Sequence, residues 1–120
     1  RAVPALEHNL MKYGLDRRCA RVRSSEVAVL DLEDDSSGAY EKIAAEIARA
    51  IADDKAEAIV LGCAGMTDLA NKLSQQFGRP VLDGVACAVS LAESMARLQL
   101  KTSRHGGYAP PPQHKLEVQS

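Results

Sequence analysis

The chain has no tryptophan and a single phenylalanine. Its core must therefore be built from Ala, Val, Leu and Ile, and with 46% of 120 residues apolar there is enough for one modest domain. An excess of either charge is also lacking. The formal net charge is −1 and no basic stripe is present, which argues against a nucleic-acid partner. No apolar run approaches the roughly 20 residues of a membrane-spanning helix, and no signal peptide is visible, so no membrane partner is expected. Cysteine is scarce. Cys19, Cys63 and Cys87 are odd in number and lack CxxC spacing, which argues against a disulfide framework and a zinc site. A reducing cytoplasm is the expected compartment. The chain also lacks an initiating methionine, beginning Arg1-Ala2-Val3-Pro4, and these residues already read as helix. A doubly wound α/β unit normally opens with a strand, so the polypeptide is expected to extend upstream.

What is present alternates between helical and strand-like patterns. Pro4 suits a first helical turn, Ala5 to Tyr13 follow with helical spacing, and Gly14 is a stop signal. Cys19 to Val22 and Val27 to Leu32 are short β-rich runs, either or both expected as strands. Glu33-Asp34-Asp35-Ser36-Ser37-Gly38 reads as a solvated loop with Ser36 or Ser37 as a helix cap; a metal site is the sharper alternative for its acids. Tyr40, Ile43, Ala44, Ile47, Ala50 and Ile51 repeat at helical spacing. Ala58 to Leu61 is the clearest strand, apolar throughout as in a parallel sheet. Leu69, Ala70, Leu73 and Phe77 mark a helix ending at Gly78, and Pro80-Val81-Leu82 is a short strand. Asp83-Gly84 turns into a last helix carrying Val85, Val89, Ala92, Met95, Ala96 and Leu98, before a tail with Pro110-Pro111-Pro112. The expected fold class is α/β, a three-layer sandwich with a mostly parallel sheet.

Ligands in such sheets bind beyond the carboxyl ends of the strands. Two strand ends qualify, Gly62-Cys63-Ala64-Gly65 and Asp83-Gly84-Val85. A thiol between a strand and a helix N-terminus lies near partial positive charge, which favours thiolate, and the free backbone N–H groups there can receive an oxyanion. Cys63 is therefore the candidate for nucleophilic or proton-transfer chemistry; its bland alternative is a small buried hydrophobe. Cys19, though beside Arg17-Arg18, lies away from the ligand edge and reads as structural; Cys87 reads as packing. His105 and His114 fall in the Gly- and Pro-rich tail, and His8 has no evident partner. Asp68 complements the helix dipole. Asp83 can cap the next helix, orient a loop or bind substrate.

At Gly62-Cys63-Ala64-Gly65-Met66 the pattern becomes specific. The chain resembles the hydantoin and allantoin racemases of the aspartate/glutamate racemase superfamily. The resemblance also rests on Val29-Leu30-Asp31-Leu32-Glu33, on Pro80-Val81-Leu82-Asp83-Gly84-Val85, and on Lys101-Thr102-Ser103 with the following Gly107-Tyr108-Ala109-Pro110. It implies one half of a two-domain, pseudo-symmetric fold, with the active site between the halves and one cysteine from each. One thiolate would remove a proton from the stereogenic carbon and the other thiol would protonate the opposite face, with no metal or organic cofactor. It implies that Cys63 is the second-half cysteine, that Gly62, Ala64 and Gly65 contact a substrate carbonyl, and that Asp83, Gly84 and Val85 line the neighbouring strand end. Residues 1–100 would be the second α/β half, incomplete at its N-terminus, and 101–120 an extended tail. The implied partners are a small-molecule substrate (a hydantoin or allantoin), the missing N-terminal half or a complementary chain, and further copies in a homo-oligomer. Without the other half this chain alone is expected to be inactive. The alternatives are a one-cysteine decarboxylase of the same superfamily and a non-catalytic fragment or oligomerising half.

Overall fold

Three aliphatic residues followed by glycine form the first strand, β1 (Ile59–Leu61). It runs parallel to β2 (Val81–Asp83), with Ile59 opposite Val81, Val60 opposite Leu82 and Leu61 opposite Asp83. The computed structural model describes residues 2–63 and 66–112; among these the sheet has two strands. The crossover between them is α3 (Thr67–Phe77), the connection that parallel pairing requires. The other helices are α1 (Val3–Lys12), α2 (Ala39–Asp53) and α4 (Gly84–Arg97). The α/β class with a parallel sheet is thus as the sequence implied. By compactness the chain divides into Arg1–Cys87 and Ala88–Ser120.

Pattern explains each helix in the first unit. Pro4 sits in the first turn of α1, where its missing N–H costs no bond. At the other end Gly14 has φ +68°, and the Leu15 and Gly14 N–H groups donate to Leu10 and Met11 oxygens. These paired bonds close the helix by a turn that needs the left-handed region. Gly78, φ +61°, ends α3 in the same region. On α2 the 3.6-residue repeat buries Ile43, Ala44, Ile47 and Ala50. Ile43, Ala44 and Ile47 meet Met66, Ala70 and Leu73, with Val81 closing the cluster from the sheet. Leu73 is fully buried at its centre. Tyr40 reinforces the α2–α3 contact, its hydroxyl donating to Gln76 and its ring lying 4.3 Å from the Lys72 ammonium.

The two β-rich runs near residues 19–22 and 27–32 do not form strands. Residues 19–28 carry no regular element, and Val29–Glu33 and Asp35–Ser37 are 3-10 turns. Local polar side chains capture the backbone that a ladder would use. Ser37 Oγ donates to the Asp31 and Asp34 carbonyls at 2.7 Å, and Asp34 accepts from the Ser36 N–H and hydroxyl. The acidic segment is thus two 3-10 turns rather than an open loop, the second capped by Asp34. The N-cap of α2 is Gly38 with no side-chain cap bond, not Ser36 or Ser37, although Ser37 Oγ accepts the Ala39 N–H at 3.2 Å.

An ion pair holds the irregular stretch against α2. The Arg23 guanidinium forks onto Asp54, with Nη2 2.8 Å from Oδ1 and Nε on Oδ2, and Nη1 is 2.9 Å from Glu46 Oε1. These bonds raise the Arg23 pKa further and hold the Asp54 carboxyl below its usual range, the Arg23 hydrogen bond being the main cause.

Candidate active site

Leu61 is the last residue of β1, and the chain leaves the sheet through Gly62 and Cys63. Cys63 is half-buried and packs against the edge of the α2–α3 cluster. It lines an open cavity of about 1090 Å³, walled by α1, residues 18–27, the inner face of α2 and β1. Gly62 and Cys19 line the same space. Ala64 and Gly65 lie outside the described residues, as does His114. Cys87 is exposed.

Asp83, at the end of β2, is 4% exposed, and its two carboxylate oxygens serve two different helices. Oδ2 accepts the Thr67 hydroxyl at 2.6 Å, at the first residue of α3. Oδ1 accepts the Val85 backbone N–H at 3.2 Å, so Asp83 caps α4. The Thr67 hydroxyl is the main cause of an Asp83 pKa below the ordinary carboxylate value; the backbone N–H groups of Val85 and Ala86 act in the same direction and burial opposes them. Of the six residues expected beside Cys63, the cavity brings in Gly62, while Asp83, Gly84 and Val85 do not line it; Asp83 is bonded instead to Thr67 at the start of α3. Sequence reasoning had no signal for Thr67. Its partner is 16 residues away, and a threonine opening a helix is ordinary.

The lowered carboxylates predict acid lability. Asp83, Asp54 and Asp34 all titrate below their unfolded value of 3.8. Their stabilising contribution is therefore complete above that value and lost as pH falls through the native pKa. Thermal unfolding midpoints measured against pH should be level near neutrality and drop below about pH 4. Asp83→Asn and Asp54→Asn should each flatten that acid limb.

The Asp/Glu/Hydantoin racemase family matches residues 1–92. The chain belongs to that family. Among this racemase family's curated members, the hydantoin racemase of Rhizobium meliloti is 44% identical over 111 residues, which cover 92% of this chain and 46% of that protein. The hydantoin racemase of Pseudomonas sp. (strain NS671) is 41% identical over 106 residues, 88% of this chain and 43% of its own length. The crystal structure of allantoin racemase from Pseudomonas fluorescens superposes with a TM-score of 0.81 at 49% identity, over 94% of this chain and 48% of that one. Allantoin racemase from Klebsiella pneumoniae gives a TM-score of 0.87 at 41% identity, over 99% and 49%. The chain spans about half the length of these racemases, and the fold it shares with them is the racemase fold.

Proposed function

We propose that this chain supplies one of the two cysteines of a cofactor-independent racemase acting on 5-monosubstituted hydantoins or allantoin. The observation that carries the reading is the family match combined with the place of Cys63, at the carboxyl end of β1 and on the wall of an open cavity. In this reading residues 1–100 are the second of two α/β halves and 101–120 a tail. The first half, or a complementary chain, provides the other face of the site, and copies associate in the cytoplasm. The chain alone would be inactive.

The chemistry follows from the substrate. The hydantoin C5–H is acidic because the carbanion delocalises into the flanking carbonyl, so an enolate oxygen is the charge to be stabilised. Backbone N–H groups of Gly62, Ala64 and Gly65 would face that oxygen, with the Asp83-Gly84-Val85 turn lining the neighbouring strand end. Loss of one such donor costs about 3 kcal/mol of barrier. The Cys63 thiolate takes the proton from one enantiomer, and the second thiol delivers a proton to the other face. In the reverse direction the roles exchange, so each thiol serves as base for one enantiomer and as acid for the other.

The test is racemisation by the full-length protein in deuterium oxide, with allantoin and 5-benzylhydantoin as substrates. Optical rotation should decay from either enantiomer, and C5–H should exchange for deuterium at the same pace. Rates equal to buffer alone with both substrates would reject the proposal.

A further inference from the structure

One residue holds both ends of the stretch that carries Cys63. The stretch leaves the sheet after Leu61, whose partner in the parallel register is Asp83. It re-enters regular structure at Thr67, whose hydroxyl donates to the Asp83 carboxylate at 2.6 Å. Backbone pairing thus fixes one end and a side-chain bond fixes the other, on the same residue. The carboxylate is itself immobilised, because its second oxygen accepts the Val85 N–H at the start of α4 and only 4% of the residue is exposed. A hydrogen bond to a buried, ionised acceptor is short, directional and costly to leave unmade. Among the described residues, the Thr67 bond is the one side-chain hydrogen bond between the start of α3 and β2.

We propose that Thr67 and Asp83 form a clasp that positions Cys63, with the Thr67 hydroxyl as a positioning group for the proton transfer. As positioning groups they act on Cys63 through the two ends held on Asp83, at Leu61 and at Thr67, and not by touching the reacting atoms. Proton transfer is steep in donor–acceptor geometry, and a misplacement of about 1 Å costs roughly 10²-fold in rate. This inference rests on Cys63 being the proton-transfer residue, and its test separates the two ideas.

The first readout needs no turnover. Wild type, Thr67→Val and Thr67→Ser are treated with iodoacetamide under native conditions, and alkylation of each cysteine is followed by peptide mass spectrometry. Cys19 and Cys63 are both half-buried, so Cys19 reports any global loosening. Thr67→Val should speed alkylation of Cys63 by about fivefold or more while leaving Cys19 within about twofold. Thr67→Ser, which keeps the hydroxyl, should return Cys63 to the wild-type rate. Equal acceleration at both cysteines, no change at Cys63, or a Ser variant as fast as the Val variant would overturn the clasp. If Thr67→Val does not fold, Thr67→Ala removes the same bond without placing a methyl group against the carboxylate, and the same criteria apply.

The second readout is turnover in the full-length protein. Thr67→Val should lower kcat about 10- to 100-fold with KM within about threefold, and Thr67→Ser should restore kcat. A proportionate rise in KM with kcat intact would overturn the positioning role. Should wild type itself fail to racemise either substrate, the proposed function falls while the alkylation result still decides whether the clasp controls Cys63.

Discussion

Replacing Cys63 by alanine in the full-length protein should lower kcat for racemisation by about 10²–10⁴-fold, the usual contribution of a positioned acid or base. Serine should do no better, because its hydroxyl is far too weak an acid to be ionised near neutral pH. The fold should survive either change. Cys63 sits half-buried at the edge of the α2–α3 cluster, and its near-isosteric replacement leaves the central packing alone. The decisive signature is directional. With one thiol removed, the remaining base still faces one side of the stereogenic carbon. Deuterium exchange from one enantiomer should persist while exchange from its mirror image disappears. Unchanged racemisation in the alanine variant would remove Cys63 from the mechanism.

The largest stability effect is expected at Leu73. Its side chain is fully buried among Ile43, Ile47, Ala70 and Val81, where α2, α3 and β2 converge. Leu73→Ala removes buried methyl groups and leaves a cavity that these neighbours cannot fill without moving. A loss of about 3–5 kcal/mol is expected, against a total stability of about 5–15 kcal/mol for a domain of ordinary size. The urea midpoint should fall steeply with little change in slope. Leu73→Met keeps most of the volume and should cost less than about 1.5 kcal/mol. A negligible shift for the alanine variant would mean that this cluster is not what holds the unit together.

The helices and β1 were legible because their signal is local. On α2, apolar residues return every 3.6 positions, and four of the six singled out, Ile43, Ala44, Ile47 and Ala50, are buried. Gly14 and Gly78 announce helix ends by the backbone angle they permit. The stretch from Cys19 to Leu32 misled because β-branched composition favours a strand without supplying a partner. Near its end the Ser37 hydroxyl takes the Asp31 carbonyl, and within it Arg23 finds a distant anchor. The ion pair itself was invisible in sequence, since Arg23 meets Glu46 and Asp54 across 23 and 31 residues. The Thr67–Asp83 bond was hidden for the same reason: a polar contact across a crossover has no period. The place of Cys63 was legible too, because an apolar run that stops at Gly62 puts the next residue at the carboxyl end of β1, where the structure has it.

The pairing of Leu61 with Asp83 also bears on how the sheet can go wrong. Along β2 the side chains alternate, with Val81 and Asp83 buried and Leu82 exposed. Sliding β2 by a single residue against β1 would turn every one of them over. In that slipped pairing the Asp83 carboxylate would face outward and the Thr67 hydroxyl would meet leucine. Burial of Val81 already favours one alignment, and a hydroxyl on the helix that links the strands adds to that preference.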